Sequence, residues 1–168
     1  AMNSLYCVDG LYLAEESSAA SAGNLEWVRG ILRKHSYREL DSLVSGTDPA
    51  ESGVYFLPFL YASNLTPYAK ACFIGLDSGH TDADMIRAVY EGVVYSGYTH
   101  LERLLDSIGA PAGRIILAGG VVNSGVWTQM FADTVGRDIF AACDAEPGAK
   151  GAAMSAGIAC GMFGNVHD

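Results

Sequence analysis

Residues 114–136, RIILAGGVVNSGVWTQMFADTVG, read as a strand, a tight glycine turn and a helix. Arg114 to Ala118 is a short apolar run, Gly119-Gly120 breaks it, and Asn123 and Ser124 open a helical stretch that closes at Gly136. Trp127, Met130, Phe131 and Thr134 fall on one face of that helix. Glycine lacks Cβ, so a ligand can approach its backbone closely, and a helix N-terminus offers N–H groups and a positive dipole end to phosphate. The bland alternative is connector chemistry, in which Gly-Gly turns the chain and Asn123 or Ser124 caps the helix.

Working outward, the strongest helix begins at Asp82, with Ile86, Tyr90, Val93, Gly97, Leu101, Leu104 and Ile108 recurring at steps of three or four. Asp82 and Asp84 lie in its first turn, where the dipole favours anions, and Arg87 and Glu91 are one turn apart and suited to pairing. Ala71–Leu76 precedes it as a strand or an extended segment. After residue 136 come a strand at Asp138–Cys143 and a last helix started by Pro147, over Gly148–Met162. The Gly and Ala residues of that helix predict very close packing on a sheet or neighbouring helix. The alternation of strand and helix from residue 71 onward argues α/β.

The first seventy residues are less regular. Leu5–Leu13 is β-rich around an Asp9-Gly10 hairpin signal. Ser17 or Ser18 caps a helix to about Lys34, with Leu25, Val28 and Leu32 on one face and Trp27 near it. A shorter helix covers Tyr37–Val44, Gly46–Pro49 is a loop, and Gly53–Leu60 is extended but confined to a sheet edge or strand end by Pro58.

The chain has 168 residues, half of them hydrophobic and 17% charged, with a formal net charge of −9. That is enough for one domain with a sizeable core. The acidic surface argues against nucleic acid and anionic membranes as partners. Absence of a signal peptide or bilayer-length apolar run points to a cytoplasmic protein. Cys7, Cys72, Cys143 and Cys160 form no C-x-x-C pair and sit among apolar or small residues, so buried reduced thiols are expected. His35, His80, His100 and His167 show no ligand spacing, and no metal site is assigned. Ala1 ahead of Met2 reads as a remnant of an added start, and the chain as a piece of something longer.

A longer pattern carries a resemblance. Ala71-Cys-Phe-Ile-Gly75-Leu76, a seven-residue spacer, then Asp84-Met85-x-x-Ala88-Val89-Tyr90-Glu91 resembles the second signature of the FGGY carbohydrate kinases. Leu117–Ser124 is similar to the family's adenosine motif, with Gln129 and Ala132-Asp133 following in the helix after it. Glu146-x-x-x-x-Gly151-Ala152-Ala153 resembles its closing segment, and Gly23–Trp27 its tryptophan-ending helix. The chain departs from the common pattern at three places. Val121 stands where a third glycine is frequent, Asn123 where a lysine often precedes the serine, and Ala62-Ser63-Asn64-Leu65 where many members have Gly-Glu-Arg before Thr66-Pro67. The Leu-Pro-Phe-Leu-Tyr segment and the Ser-Asn loop look most like L-xylulose and xylulose kinases.

The resemblance implies an actin-like ATPase (ribonuclease H-like) domain, a mixed sheet flanked by helices. Residues 1–168 would be the C-terminal, nucleotide-binding domain, without the N-terminal sugar-binding domain and the start of the second. It implies ATP-dependent phosphorylation of a sugar, a ketopentose such as xylulose, by the whole enzyme, with ATP or ADP and Mg²⁺ as cofactors and inactivity of this piece alone. No catalytic residue is assigned, because the family's aspartate and phosphate loops match nothing here. Gly119 and Gly120 would admit the nucleotide to the backbone, and Asn123 and Ser124 would hydrogen-bond around adenine or ribose. Ala22 and Glu26 occupy positions from which relatives contact the nucleotide across the cleft; for Glu26 the alternative is a solvated helix face. The sugar would be met through the absent domain. The competing reading is a non-catalytic nucleotide-sensing or self-associating module, a homodimer included.

Overall fold

The computed structural model describes all residues except 7, 9, 20, 34, 35, 65, 67, 145 and 166–168, and the side chains at 50 and 51. Six helices and six strands follow in the order β1 (Met2–Leu5), β2 (Tyr12–Glu15), α1 (Gly23–Ile31), α2 (Tyr37–Ser45), α3 (Pro49–Ser52), β3 (Tyr55–Leu57), β4 (Cys72–Ile74), α4 (Asp82–Ile108), β5 (Ile115–Leu117), α5 (Gly125–Val135), β6 (Ile139–Ala141) and α6 (Pro147–Ala159), with a 3₁₀ turn at Gly120–Asn123 before α5. The class is α/β. Among the described residues the strands form short separate ladders. They pair two by two, β1 with β2 and β3 with β4 antiparallel, and β5 with β6 parallel. Each strand is three or four residues long.

The core forms around the first half of α4. From Ile86 to Val94 every residue but Glu91 is buried, so the helix is enclosed on all sides there. Leu25 and Val28 of α1, Leu40 and Val44 of α2, Val54 and Phe56 beside β4, and Trp127 of α5 close around it. The contact with β3 depends on one glycine. A Cβ at Gly92 would collide with the carbonyl oxygen of Phe56. Arg87, expected to make a simple one-turn pair, does more. Its Nε donates to Glu91 at 2.8 Å, and its Nη1 donates to the carbonyls of Val44 at 3.1 Å and Thr47 at 2.7 Å. A guanidinium thus satisfies the end of α2 inside the core. The carboxylate of Asp84 accepts from the Thr81 N–H and hydroxyl, both at 2.8 Å, which fixes the start of α4.

Several expectations need correction. Helix α1 starts at Gly23 after Ala22, not at Ser17 or Ser18, and ends at Ile31. Ser17 is engaged elsewhere, since Asn64 Nδ2 donates to its carbonyl at 2.7 Å and its hydroxyl at 3.2 Å. Lys34 lies outside the described residues, as do Asp9 of the hairpin turn and Cys7. Part of the expected Gly46–Pro49 loop is the start of α3, and the extended 53–60 segment pairs only over Tyr55–Leu57. Trp27 is exposed rather than core, because α1 turns Leu25 and Val28 inward and leaves it outside. Cys72, Cys143 and Cys160 are free and exposed, on β4, in the loop after β6 and at the end of α6. Helix α6 lacks its expected close partner. Among its residues only Gly157 is buried, beneath the ring of Phe163. Among the described residues no helix is long and apolar enough to cross a membrane.

Candidate functional site

Where α1, α2 and the turn into α5 face one another they leave a groove of about 490 Å³. Ala22 and Leu25 border it from α1, Tyr37, Arg38 and Asp41 from α2, and Gly120, Asn123 and Ser124 from the glycine turn, with Tyr90 and Trp127 at its base. Of the residues expected at a nucleotide site, four therefore meet on one surface, namely Ala22, Gly120, Asn123 and Ser124. Gly119 and Glu26 are not on the lining. A smaller cleft of about 230 Å³ runs along β3 and α4, but none of those six residues borders it.

The glycine turn is shaped by two different requirements. Gly119 has φ 87° and ψ −166°, a conformation that essentially only glycine adopts. Gly120 is under no such strain, and a Cβ there would meet nothing within 4 Å. Its surface is open space belonging to the groove. The expected row of unpaired N–H groups is partly used. The 3₁₀ turn engages Val122 N–H with the Gly119 carbonyl and Ser124 N–H with that of Val121, and Trp127 N–H donates to Ser124 Oγ at 3.0 Å. What the turn offers is close approach to backbone more than a phosphate nest.

Behind the turn a polar network joins three helices. One carboxylate oxygen of Asp41 accepts from the Tyr90 hydroxyl at 2.8 Å and from the Ser124 hydroxyl at 2.7 Å. Trp127 Nε1 donates to the Tyr90 carbonyl at 3.0 Å, and the two rings stack with centroids 4.5 Å apart. Burial and the Asp41 hydrogen bond push the Tyr90 phenol far above its ordinary range, so it remains a donor. Ser124 thus serves as helix cap and network member together. The reading of Tyr90 as core holds, since it is 1% exposed, yet its ring still floors the groove.

Glu26 is committed elsewhere. Arg29 donates to both its oxygens, Nη2 to Oε1 at 2.6 Å and Nε to Oε2 at 3.0 Å, and the Tyr37 hydroxyl donates to Oε2 at 2.6 Å. These contacts hold its carboxyl well below the usual range, at about 2. Glu26 thus reaches the groove through Tyr37, which does border it. Gln129 and Asp133 hydrogen-bond to each other at 2.8 Å on the exposed face of α5.

Sequence reasoning missed Tyr37, Arg38 and Asp41. Their spacing puts them on neighbouring turns of one helix, and that local signal was present. The partners of Asp41 lie 49 and 83 residues away, and no local pattern announces them. Among the described residues no three His, Cys, Asp or Glu side chains come together as a metal site.

Comparison with known proteins gives consistent results. Residues 2–160 match the model of the FGGY family of carbohydrate kinases, C-terminal domain. The chain is similar to the L-xylulose/3-keto-L-gulonate kinase of Escherichia coli (strain K12), with 36% identity over 163 residues, 97% of this chain and 32% of that protein. It is 38% identical over 152 residues to a probable L-xylulose kinase of Pasteurella multocida (strain Pm70), covering 90% of this chain and 31% of that one. In structure it resembles the xylulose kinase from Rhodospirillum rubrum, with a TM-score of 0.73, 29% identity, and 90% of this chain matched to 32% of that chain. The chain therefore spans about a third of the length of these relatives. The likeness carries the actin-like fold of these sugar kinases.

Proposed function

Because the chain belongs to the FGGY family of carbohydrate kinases, we propose that it is the C-terminal, nucleotide-binding part of an ATP-dependent sugar kinase. The groove between α1, α2 and the glycine turn is then the adenosine site. The acceptor is a ketopentose of the xylulose type, a reading supported by the names of the relatives reported above. In the whole enzyme the γ-phosphoryl group would pass to a sugar hydroxyl by positioning and charge neutralisation. This chain's contribution is to hold and orient the purine end. Gly120 lets the nucleoside lie against backbone, and Ala22 and Leu25 exclude water from the opposite wall. Asn123 and the Asp41–Ser124 pair supply hydrogen-bonding groups at the rim. The base that activates the sugar hydroxyl is assigned to no residue here. Mg²⁺ is implied by the family, but the described residues bring no carboxylate cluster together for it, and no step is routed through it.

The observation that carries the reading is the open space over Gly120, on a groove whose lining includes four of the six residues that the sequence had already singled out. Titration of the chain with ADP, read by calorimetry, tests it. Wild type should bind, and Gly120→Val should keep its melting temperature while losing affinity about tenfold, because the added side chain fills only the groove. Equal affinity in the two proteins, or no binding by wild type, rejects the assignment.

A second reading, self-association, is favoured by one observation, the apolar and uncovered surface of α6. Sedimentation over a range of concentrations decides it, and a strict monomer rules it out.

A further inference from the structure

We infer that Tyr37 is the platform on which the base of the bound nucleotide stacks, and that Glu26 is the residue that holds this platform in place. The inference rests on the nucleotide reading of the groove. Three aromatic side chains border that groove, and two are already in use. Tyr90 and Trp127 are 1% and 3% exposed and stack on each other. Tyr37 alone of the three offers a ring to solvent, at 57% exposure.

An exposed tyrosine ordinarily samples several rotamers, and ordering it costs binding energy. This one is ordered before any ligand arrives. Its backbone is the first turn of α2, fixed by a reciprocal cap in which Glu39 N–H donates to Ser36 Oγ at 3.3 Å and Ser36 N–H donates to Glu39 Oε2 at 2.7 Å. Its hydroxyl donates to Glu26 at 2.6 Å, and Glu26 is clamped at both oxygens by Arg29. The Arg29 guanidinium then lies over the ring, 5.2 Å from its centroid. One face of the ring carries a cation and the other remains for a flat partner. Gly120 borders the same groove, and a Cβ there would meet nothing within 4 Å. A ring and bare backbone on one groove make a slot for a planar base, and a purine covers more of the ring than a pyrimidine does.

The test measures ADP and UDP affinities of the chain, four single variants and one double variant. Tyr37→Ala should weaken ADP about five- to a hundredfold, the range for loss of one stacked base. Tyr37→Phe keeps the ring and should stay within about threefold. Tyr68→Ala, at a tyrosine 94% exposed and away from the groove lining, should change nothing. Glu26→Gln should weaken ADP in wild type and have no further effect in the Tyr37→Ala background, an interaction that a merely structural role would not produce. Wild type should prefer ADP to UDP, and Tyr37→Ala should narrow that preference. If wild type binds ADP and Tyr37→Ala binds it equally well, the platform is wrong while the adenosine site stands. If Tyr37→Phe loses as much as Tyr37→Ala, the hydroxyl and not the ring carries the effect, and stacking is rejected. If wild type does not bind ADP at all, the reading of the groove fails first and this inference falls with it.

Discussion

Helices α4 and α6 are both rich in small and apolar residues, and they meet opposite fates. The first half of α4 is enclosed on every side, while α6 buries a single glycine. The difference lies in what each helix is offered. At Gly92 the missing side chain lets the β3 backbone press against α4, so smallness is converted into close packing. At α6 only Phe163 approaches, over Gly157. A helix of glycines and alanines has little area of its own to bury and depends on a partner that comes close. Composition alone therefore did not distinguish a core helix from an uncovered one. The groove sits on the enclosed side, where Tyr90 and Trp127 tie its floor to the core.

The contrast breaks most sharply at Leu40, which is fully buried between α2 and α4. Leu40→Ala should cost about 2–5 kcal/mol, the usual range for a buried leucine cut to alanine. Urea unfolding followed by circular dichroism measures it. A loss under about 1 kcal/mol would mean that the packing around α4 is looser than its burial indicates.

Next in size is Gly119, on the edge of the enclosed region. Gly119→Ala must hold an L-residue at φ 87° and ψ −166°, and should cost about 1–3 kcal/mol. Gly120→Ala next door should be near neutral for stability, because its Cβ meets nothing. Calorimetric melting of the pair separates a glycine kept for backbone conformation from one that opens the groove. Equal losses in the two would overturn that division.

How far the sequence could be read follows from the same contrast. Helix α4 was legible from Asp82 to Ile108, since its period and its acidic first turn are local signals. The turn and helix of 119–136 were legible for the same reason, with the cap at Ser124, one of the two residues offered for it. The antiparallel pair of β1 and β2 was legible as a hairpin, but the pairings of β3 with β4 and of β5 with β6 were not, because three-residue strands leave little register signal. Within the groove, the glycine turn announced itself, and Ala22 came from the family pattern. Tyr37, Arg38 and Asp41 did not. Their significance arises only when α2 is folded against the turn, bringing Asp41 to Ser124 across 83 residues. The thiols were misread because a small-residue context says that a cysteine can be buried, and not that anything will cover it.

A smaller effect sharpens the view of the groove wall. Glu26 has its carboxyl held down to about 2 from an ordinary 4.5 by Arg29 first and Tyr37 second. A folded-state value below the unfolded one means that the tether contributes fully above about 4.5 and is lost as pH falls from there through about 2. Carbon-detected NMR of the Glu26 carboxyl should give a midpoint near 2, and Arg29→Met should move it back toward the ordinary value. A wild-type midpoint at the ordinary value would show the Tyr37 tether to be loose.

The least effect is expected on α6, and it tests the contrast from its other end. Met154 is 45% exposed there and rests on no core residue of α4. Met154→Ala should therefore change stability by no more than about 0.5 kcal/mol, as surface substitutions do. The comparison is informative because methionine is one of the few long side chains on α6, so a hidden packing partner would register there. Unfolding curves taken at low and high protein concentration separate two ways of being wrong. A loss of 2 kcal/mol or more at both concentrations would mean that α6 is anchored within the chain itself. A loss seen only at high concentration would mean that a second copy covers it, which is the self-association reading. A flat response at both leaves α6 as a surface that this chain presents and does not bury.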